Sequence, residues 1–179
     1  MLETVRTELS GWTAPDPVQS ALRDDYLAFL DAHPDGLWRE CDAGHLTAGA
    51  LVVDPDSGRV LLHLHKRVGR WLQFGGHLEP GDSSLRDTAA RETAEESGLD
   101  GLVLLDSPVR LDRHPAPCRP APGRDHLDVQ YVALAPGGAV PRASDESLGL
   151  AWFDWDDVPR EDTSVTALVA AARTALRAP

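Results

Sequence analysis

Residues 91–96 read Arg-Glu-Thr-Ala-Glu-Glu, and the spacing of these side chains suits a particular chemistry. On a helix, Glu92 and Glu96 stand at i and i+4, and Glu95 lies beside them, three residues after Glu92. Like charges at that spacing weaken a helix by a few tenths of a kcal/mol per pair. Arg91, four residues before Glu95, can pair with it, but one guanidinium cannot neutralise three carboxylates. A divalent cation can. Oxygen donors alone favour Mg²⁺ or Mn²⁺ over zinc. Upstream runs Gly75-Gly76-His77-Leu78-Glu79-Pro80-Gly81-Asp82. This glycine loop brings bare backbone near the helix, so a carbonyl oxygen could complete the coordination. Magnesium keeps several waters and binds substrate phosphates, which suggests phosphoryl chemistry with water as nucleophile. The competing reading is an ordinary solvated helix face.

Other residues are open to two readings. Asp82 is either a helix cap or a metal-linked carboxylate. Glu79 is either part of the same loop pattern or solvent-exposed. His63, His65 and His77 suggest zinc, but no His-x-x-x-His helix and no cysteine partner accompanies them, so pocket or sheet-surface packing is preferred. Trp71 is a core residue or a platform for a base, whereas Trp152 and Trp155 read as core. His126, with Asp128, opens a strand and lines a pocket or ends the strand. Arg110, Arg113, Arg119 and Arg124 surround a proline-rich stretch and form either a phosphate-meeting lid or a solvated loop.

These residues need elements to position them. Asp16-Pro17 supplies an N-cap and a first-turn proline, and Val18, Leu22, Tyr26, Phe29 and Leu30 follow at helical spacing. Residues 46–53 and 59–65 read as strands joined by Asp54-Pro55-Asp56-Ser57-Gly58, a hairpin. Residues 69–81 read as a short strand leading into a loop, and 84–97 as a helix with Gly98 at its C′ position. Further strands are expected at 101–106, 108–113, 128–134 and 148–153, with a surface loop over 114–125. Val165, Leu168, Val169, Ala172 and Leu176 mark a C-terminal amphipathic helix. This mixture of hairpins and helices predicts an α+β domain.

The glycine loop and the Arg-Glu-x-x-Glu-Glu-x-Gly-Leu run of residues 91–99 together resemble the Nudix box, G-x5-E-x7-R-E-U-x-E-E-x-G-U. Gly76 matches the first glycine and Asp82 replaces the first glutamate. Eight residues rather than seven separate Asp82 from Arg91, and Thr93 replaces the usual apolar residue. The extra residue falls around Ser83-Ser84, so the helix keeps its register. Residues 69–72 and 150–159 also look like strands flanking the box, so the resemblance covers about residues 44–176. It implies an α/β/α sandwich with a mixed β-sheet, here with an added N-terminal helix. It implies hydrolysis of a nucleoside diphosphate linked to another group, with Mg²⁺ or Mn²⁺. By position, Gly75 (through its carbonyl), Glu92, Glu95 and Glu96 would be metal ligands, joined by Glu146 from a later loop. Arg91 would orient the glutamates, and Glu95 or Asp82 would take a proton. Trp71, His126 and Arg113 are the substrate-binding candidates. Pro115 and Pro117 stand near a position where family members often mark ADP-ribose-like substrates, but prolines are dense there.

The whole chain sets limits. Its 179 residues fit one compact domain, read as a helical extension over 1–42 packed on a catalytic domain over 43–179. A net charge of −12 without a basic stripe argues against long nucleic acid and for a small phosphorylated ligand screened by cations. Cys41 and Cys118 form no framework, no charged leader precedes an apolar run at the N-terminus, and no stretch nears the ~18 apolar residues of a membrane span. A cytoplasmic protein is the default, with no membrane partner and a homodimer left open. A catalytically inactive Nudix-fold nucleotide-binding module is the alternative function. An isoprenoid diphosphate isomerase would need a cysteine in a context that neither Cys41 nor Cys118 has.

Overall fold

The computed structural model describes residues 1–116 and 124–177; Pro117, Cys118 and Arg119 lie outside them. Two helices, α1 (Leu2–Gly11) and α2 (Pro17–Ala32), precede the first strand, where the sequence suggested one. The α2 start is as read: Pro17 occupies the first turn, and the Asp16 carboxylate accepts from the Gln19 N–H at 2.9 Å. Helix α1 escaped notice because no side chain caps it, although Val5 and Leu9 bury one stripe.

Strands β1 (Gly44–Asp54), β2 (Arg59–His65), β3 (Trp71–Leu72), β4 (Phe74–His77), β5 (Val103–Leu104), β6 (Arg110–Pro115), β7 (Asp125–Leu134) and β8 (Ser147–Asp154) form one sheet. Its spine runs β3-β2-β1-β7-β5, with β4 on β1, β6 on β7 and β8 on β2. β1 and β7 are parallel and the other pairs antiparallel, giving the expected mixed sheet. Helices α3 (Leu85–Ser97) and α4 (Thr163–Ala175) complete the chain.

β1 shows why the layers stack as they do. Successive side chains point to opposite faces, and both faces are covered. Leu46, Ala48, Ala50 and Val52 join a core shared with Val5 and Leu9 of α1, Tyr26 and Leu30 of α2, and Leu85 and Ala89 of α3. Leu51 and Val53 join a second core with Val165, Leu168, Val169 and Ala172 of α4. The N-terminal helices thus share a core with the sheet. Among the described residues no helix is long and apolar enough to cross a membrane.

Several boundaries differ from expectation. The stretch over 69–81 yields two short strands, because β4 pairs with Thr47–Ala50 and draws the glycines into the sheet. β5 has only two residues. β6 runs to Pro115, past the start of the expected loop, and β7 begins at Asp125, three residues early. Pro115 occupies the last position of its strand, where one missing donor costs little.

Candidate active site

Helix α3 is held at both ends. The Ser84 side chain accepts from the Asp87 N–H at 3.0 Å, so Ser84 is the cap rather than Asp82. The Leu85 N–H donates to the Glu8 carboxylate of α1 at 2.9 Å. Gly98 ends the helix with φ 63°, and a Cβ there would lie 2.7 Å from the Arg142 carbonyl oxygen. Leu85, Ala89 and Thr93 are buried toward the sheet, which turns the glutamates toward β4.

Arg91 organises the acidic face. Its Nε and Nη2 donate to the two oxygens of Asp82, each at 2.9 Å, a bidentate fork. Nη1 donates to Glu92 at 3.0 Å and to Glu95 at 3.4 Å, and Nη2 also reaches the His77 carbonyl oxygen at 3.0 Å. Asp82 further accepts from the Glu79 N–H and the Thr88 hydroxyl, each at 2.9 Å. The Arg91 hydrogen bonds, joined by these two donors, hold its carboxyl below the usual range. The longer box spacing leaves this clamp intact, because Ser83 and Ser84 precede the helix.

Glu96 is 6 % exposed and accepts from the Gly75 N–H at 2.9 Å. Burial pushes its carboxyl up to about 8; the Gly75 N–H opposes this, and the charges of Glu92, Glu146 and Glu95 add to it. Burial also raises Glu92, against the pull of Arg91. A Cβ on Gly76 would come within 2.6 Å of the Glu92 carboxylate, so a larger residue there would push that side chain aside.

Of these groups, Gly75, Gly76, Arg91, Glu92 and Glu95 border a cleft of about 1140 Å³, whereas Asp82 and Glu96 do not. It opens where β2 has parted from β1 and β4 has taken its place. Gly75, Gly76, Glu92, Glu95 and Glu146 line one side. Glu146 sits in the loop before β8, where its carbonyl oxygen accepts from the Lys66 N–H at 2.9 Å. His126 also lines the cleft. Trp71 and Arg113 do not. Trp71 packs against Phe153 with ring centroids 5.1 Å apart, and Arg113 pairs with Asp125 at 2.7 Å. Alternation along β6 explains Arg113: its neighbour His114 takes the cleft side. Arg110, the lid candidate, instead binds Gln130 and Asp112, and Arg124 pairs with Asp42.

Most of the polar floor carries no local signal in the sequence. Asp128 is buried and accepts from the Thr47 hydroxyl at 2.8 Å and the Gln130 amide at 2.9 Å. Burial raises its carboxyl despite nearby His114 and these bonds. Asp112 keeps its charge, held down to about 2 by His114 and Arg110 against its burial. Burial lowers His63 to about 4, His77 to about 4 and His126 to about 3, so these rings are neutral near pH 7. Strand pairing could have flagged the floor, since Thr47, Asp128 and Asp112 are partners across three strands.

Clustered carboxylates thus stand beside bare glycine backbone at a cleft on a mixed sheet between helices, an all-oxygen donor set that could hold divalent cations. The NUDIX domain family model matches residues 44–172. The chain therefore belongs to the Nudix family and is a hydrolase of pyrophosphate bonds, a family that works on small nucleotide-like substrates with divalent metals. Solved structures share the fold. A MutT NUDIX hydrolase from Burkholderia pseudomallei is 27% identical, with TM-score 0.55 over 70% of this chain and 95% of that one. A C. elegans Ap4A hydrolase binary complex is 18% identical, with TM-score 0.62 over 73% and 96%. The E. coli dihydroneopterin triphosphate pyrophosphohydrolase is 20% identical, with TM-score 0.59 over 69% and 91%.

Proposed function

We propose that the protein hydrolyses a P–O–P bridge in a small nucleoside diphosphate linked to another group, with Mg²⁺ or Mn²⁺ held by Glu92, Glu95, Glu96, Glu146 and the Gly75 carbonyl. The observation that carries this reading is the burial of Glu96 and Glu92 among like charges around a glycine backbone. The donor set fits: every candidate ligand atom is oxygen, and Gly76 leaves the Glu92 carboxylate room. When bound, such ions supply charge stabilisation for phosphate oxygens and lower the pKa of an attacking water.

The chain's own residues divide the remaining work. Arg91 spans Asp82, Glu92 and Glu95 and so fixes the angle of the acidic face. Asp82, with both oxygens filled, anchors Arg91 rather than moving a proton. Glu95, whose side chain is 61% exposed and which lines the cleft, is the better base. His126 and Asp128 form the wall that meets the substrate's non-reacting end.

The cleft exceeds the roughly 300–1,000 Å³ of common small-molecule sites, which suits a substrate with groups on both sides of the bridge. The substrates in the names of the Ap4A and dihydroneopterin triphosphate enzymes share that polyphosphate character. Residues 1–42 serve as a packed extension of the catalytic domain over 43–179, since Glu8 holds the start of α3. The buried free thiol of Cys41 suits a reducing cytoplasm.

The test is a panel of nucleoside triphosphates, nucleotide sugars, dinucleoside polyphosphates and ADP-ribose, assayed for released phosphate with Mg²⁺, Mn²⁺ or EDTA. Metal-dependent cleavage of at least one diphosphate-bridged compound is expected. No cleavage of any, or cleavage unaffected by EDTA, would overturn the reading.

A further inference from the structure

Away from the glutamates, three strands carry imidazoles side by side. His45 of β1 is the register partner of His126 on β7, and His77 of β4 pairs opposite Thr47, two residues along β1 on the same face. The ring centroids lie 5.1 Å apart for His45–His77, 4.8 Å for His45–His126 and 5.5 Å for His77–His126. One nitrogen from each ring lies within 4.8 Å of the other two. His45 and His126 are buried, at 2 % and 8 % exposure. The His77 Nε2 is buried without a hydrogen-bond partner. A buried polar atom left so keeps its full desolvation penalty, and a structure seldom bears that without a reason.

We infer that His45, His77 and His126 form a second metal site, selective for a borderline transition-metal ion such as Zn²⁺, Ni²⁺ or Co²⁺ and separate from the glutamate face. Three imidazoles are the donor set that such ions prefer and that Mg²⁺ does not. Tetrahedral Zn–N bonds of about 2.0–2.1 Å would place the nitrogens ~3.4 Å apart, so the site closes by side-chain rotation of roughly 1 Å. Three protein ligands leave a fourth position open. His77 and His126 line the cleft and His45 stands behind them, so that position faces the cleft and takes water or a substrate oxygen or nitrogen. His114, next along the row from His126, is bound by Asp112 at 3.0 Å and stays outside the trio. Arg39 acts electrostatically on both His77 and His126, and Glu40 opposes it at His77.

Titration of the metal-free full-length protein with Co²⁺, in saturating Mg²⁺, tests the site. The expected result is one equivalent of Co²⁺ giving visible d–d bands, displaced by Zn²⁺, with paramagnetically shifted ring protons from three histidines of the unmodified protein. His45→Ala and His126→Ala should weaken Co²⁺ binding by at least about 100-fold, beyond the cost of losing an outer partner of a ligand. Glu96→Gln should leave it unchanged, which separates this site from the glutamate face. Absence of d–d bands, shifted protons from fewer than three histidines, or binding lost in Glu96→Gln but kept in His126→Ala would overturn the inference.

Discussion

Arg91 carries more of the site than its single charge suggests. Its forked bond to Asp82 is between partners only 22% and 6% exposed. Removing one member of such a pair leaves a buried charge uncompensated, at a cost of about 3 kcal/mol. Arg91→Ala should therefore lower the metal-free Tm by roughly 10 °C, together with activity, as thermal melting in EDTA would record. Glu96 works in the opposite sense. Burial lifts its folded-state pKa to about 8, above that of the unfolded chain. The folded state then holds more protons between the ordinary carboxylate range and that value, so stability falls as pH rises through the window. Without metal, Tm should drop by on the order of 5 °C from about pH 5 to about pH 9, and Glu96→Gln should flatten that slope. Equal slopes in both proteins would show that Glu96 is not the titrating group. The carboxylates were legible in sequence because one helix carries them four residues apart or fewer. The histidine trio was not, since only strand register brings residues 45, 77 and 126 together.

At the scale of elements, α3 is the part that everything else positions. Its C-cap was readable from Gly98 and the β1–β2 hairpin from its turn, whereas the N-cap is Ser84 and not the expected Asp82. The α1 contribution was not, because Glu8 meets Leu85 across 77 residues and no local pattern announces such a contact. The starts and ends of β6 and β7 were hidden for a related reason. Histidines and prolines read as loop until a parallel partner, β1, supplies the other half of the ladder. Glu8→Ala removes the acceptor for the first N–H of α3. Loss of such a cap costs about 1 kcal/mol, or roughly 3 °C in Tm for a protein of this size. Because α3 carries the carboxylates, the metal concentration for half-maximal activity should rise in the same variant. Glu3→Gln, exposed on the same helix, should change neither quantity. An unchanged metal requirement in Glu8→Ala would mean that α1 packs on the domain without setting the helix.

The molecule as a whole carries a net charge of −12. A surface of that sign repels phosphate backbones and leaves recognition to the cleft, where cations can gather. Long RNA should accordingly inhibit turnover more weakly than mononucleotides at physiological salt, measured by competition against the best substrate of the panel. Tighter inhibition by RNA would assign a different partner. The central claim is that the buried glutamate face is catalytic rather than structural, and one comparison tests it directly. Turnover of the best diphosphate substrate by Glu96→Gln in saturating Mg²⁺ is set against its Tm in EDTA. The account predicts a fall in kcat of about 1,000-fold or more with an unchanged or raised metal-free Tm, since the charge at the metal is lost while a buried carboxyl that ionises only at cost gives way to a neutral amide. Near-normal kcat with a lowered Tm would contradict it.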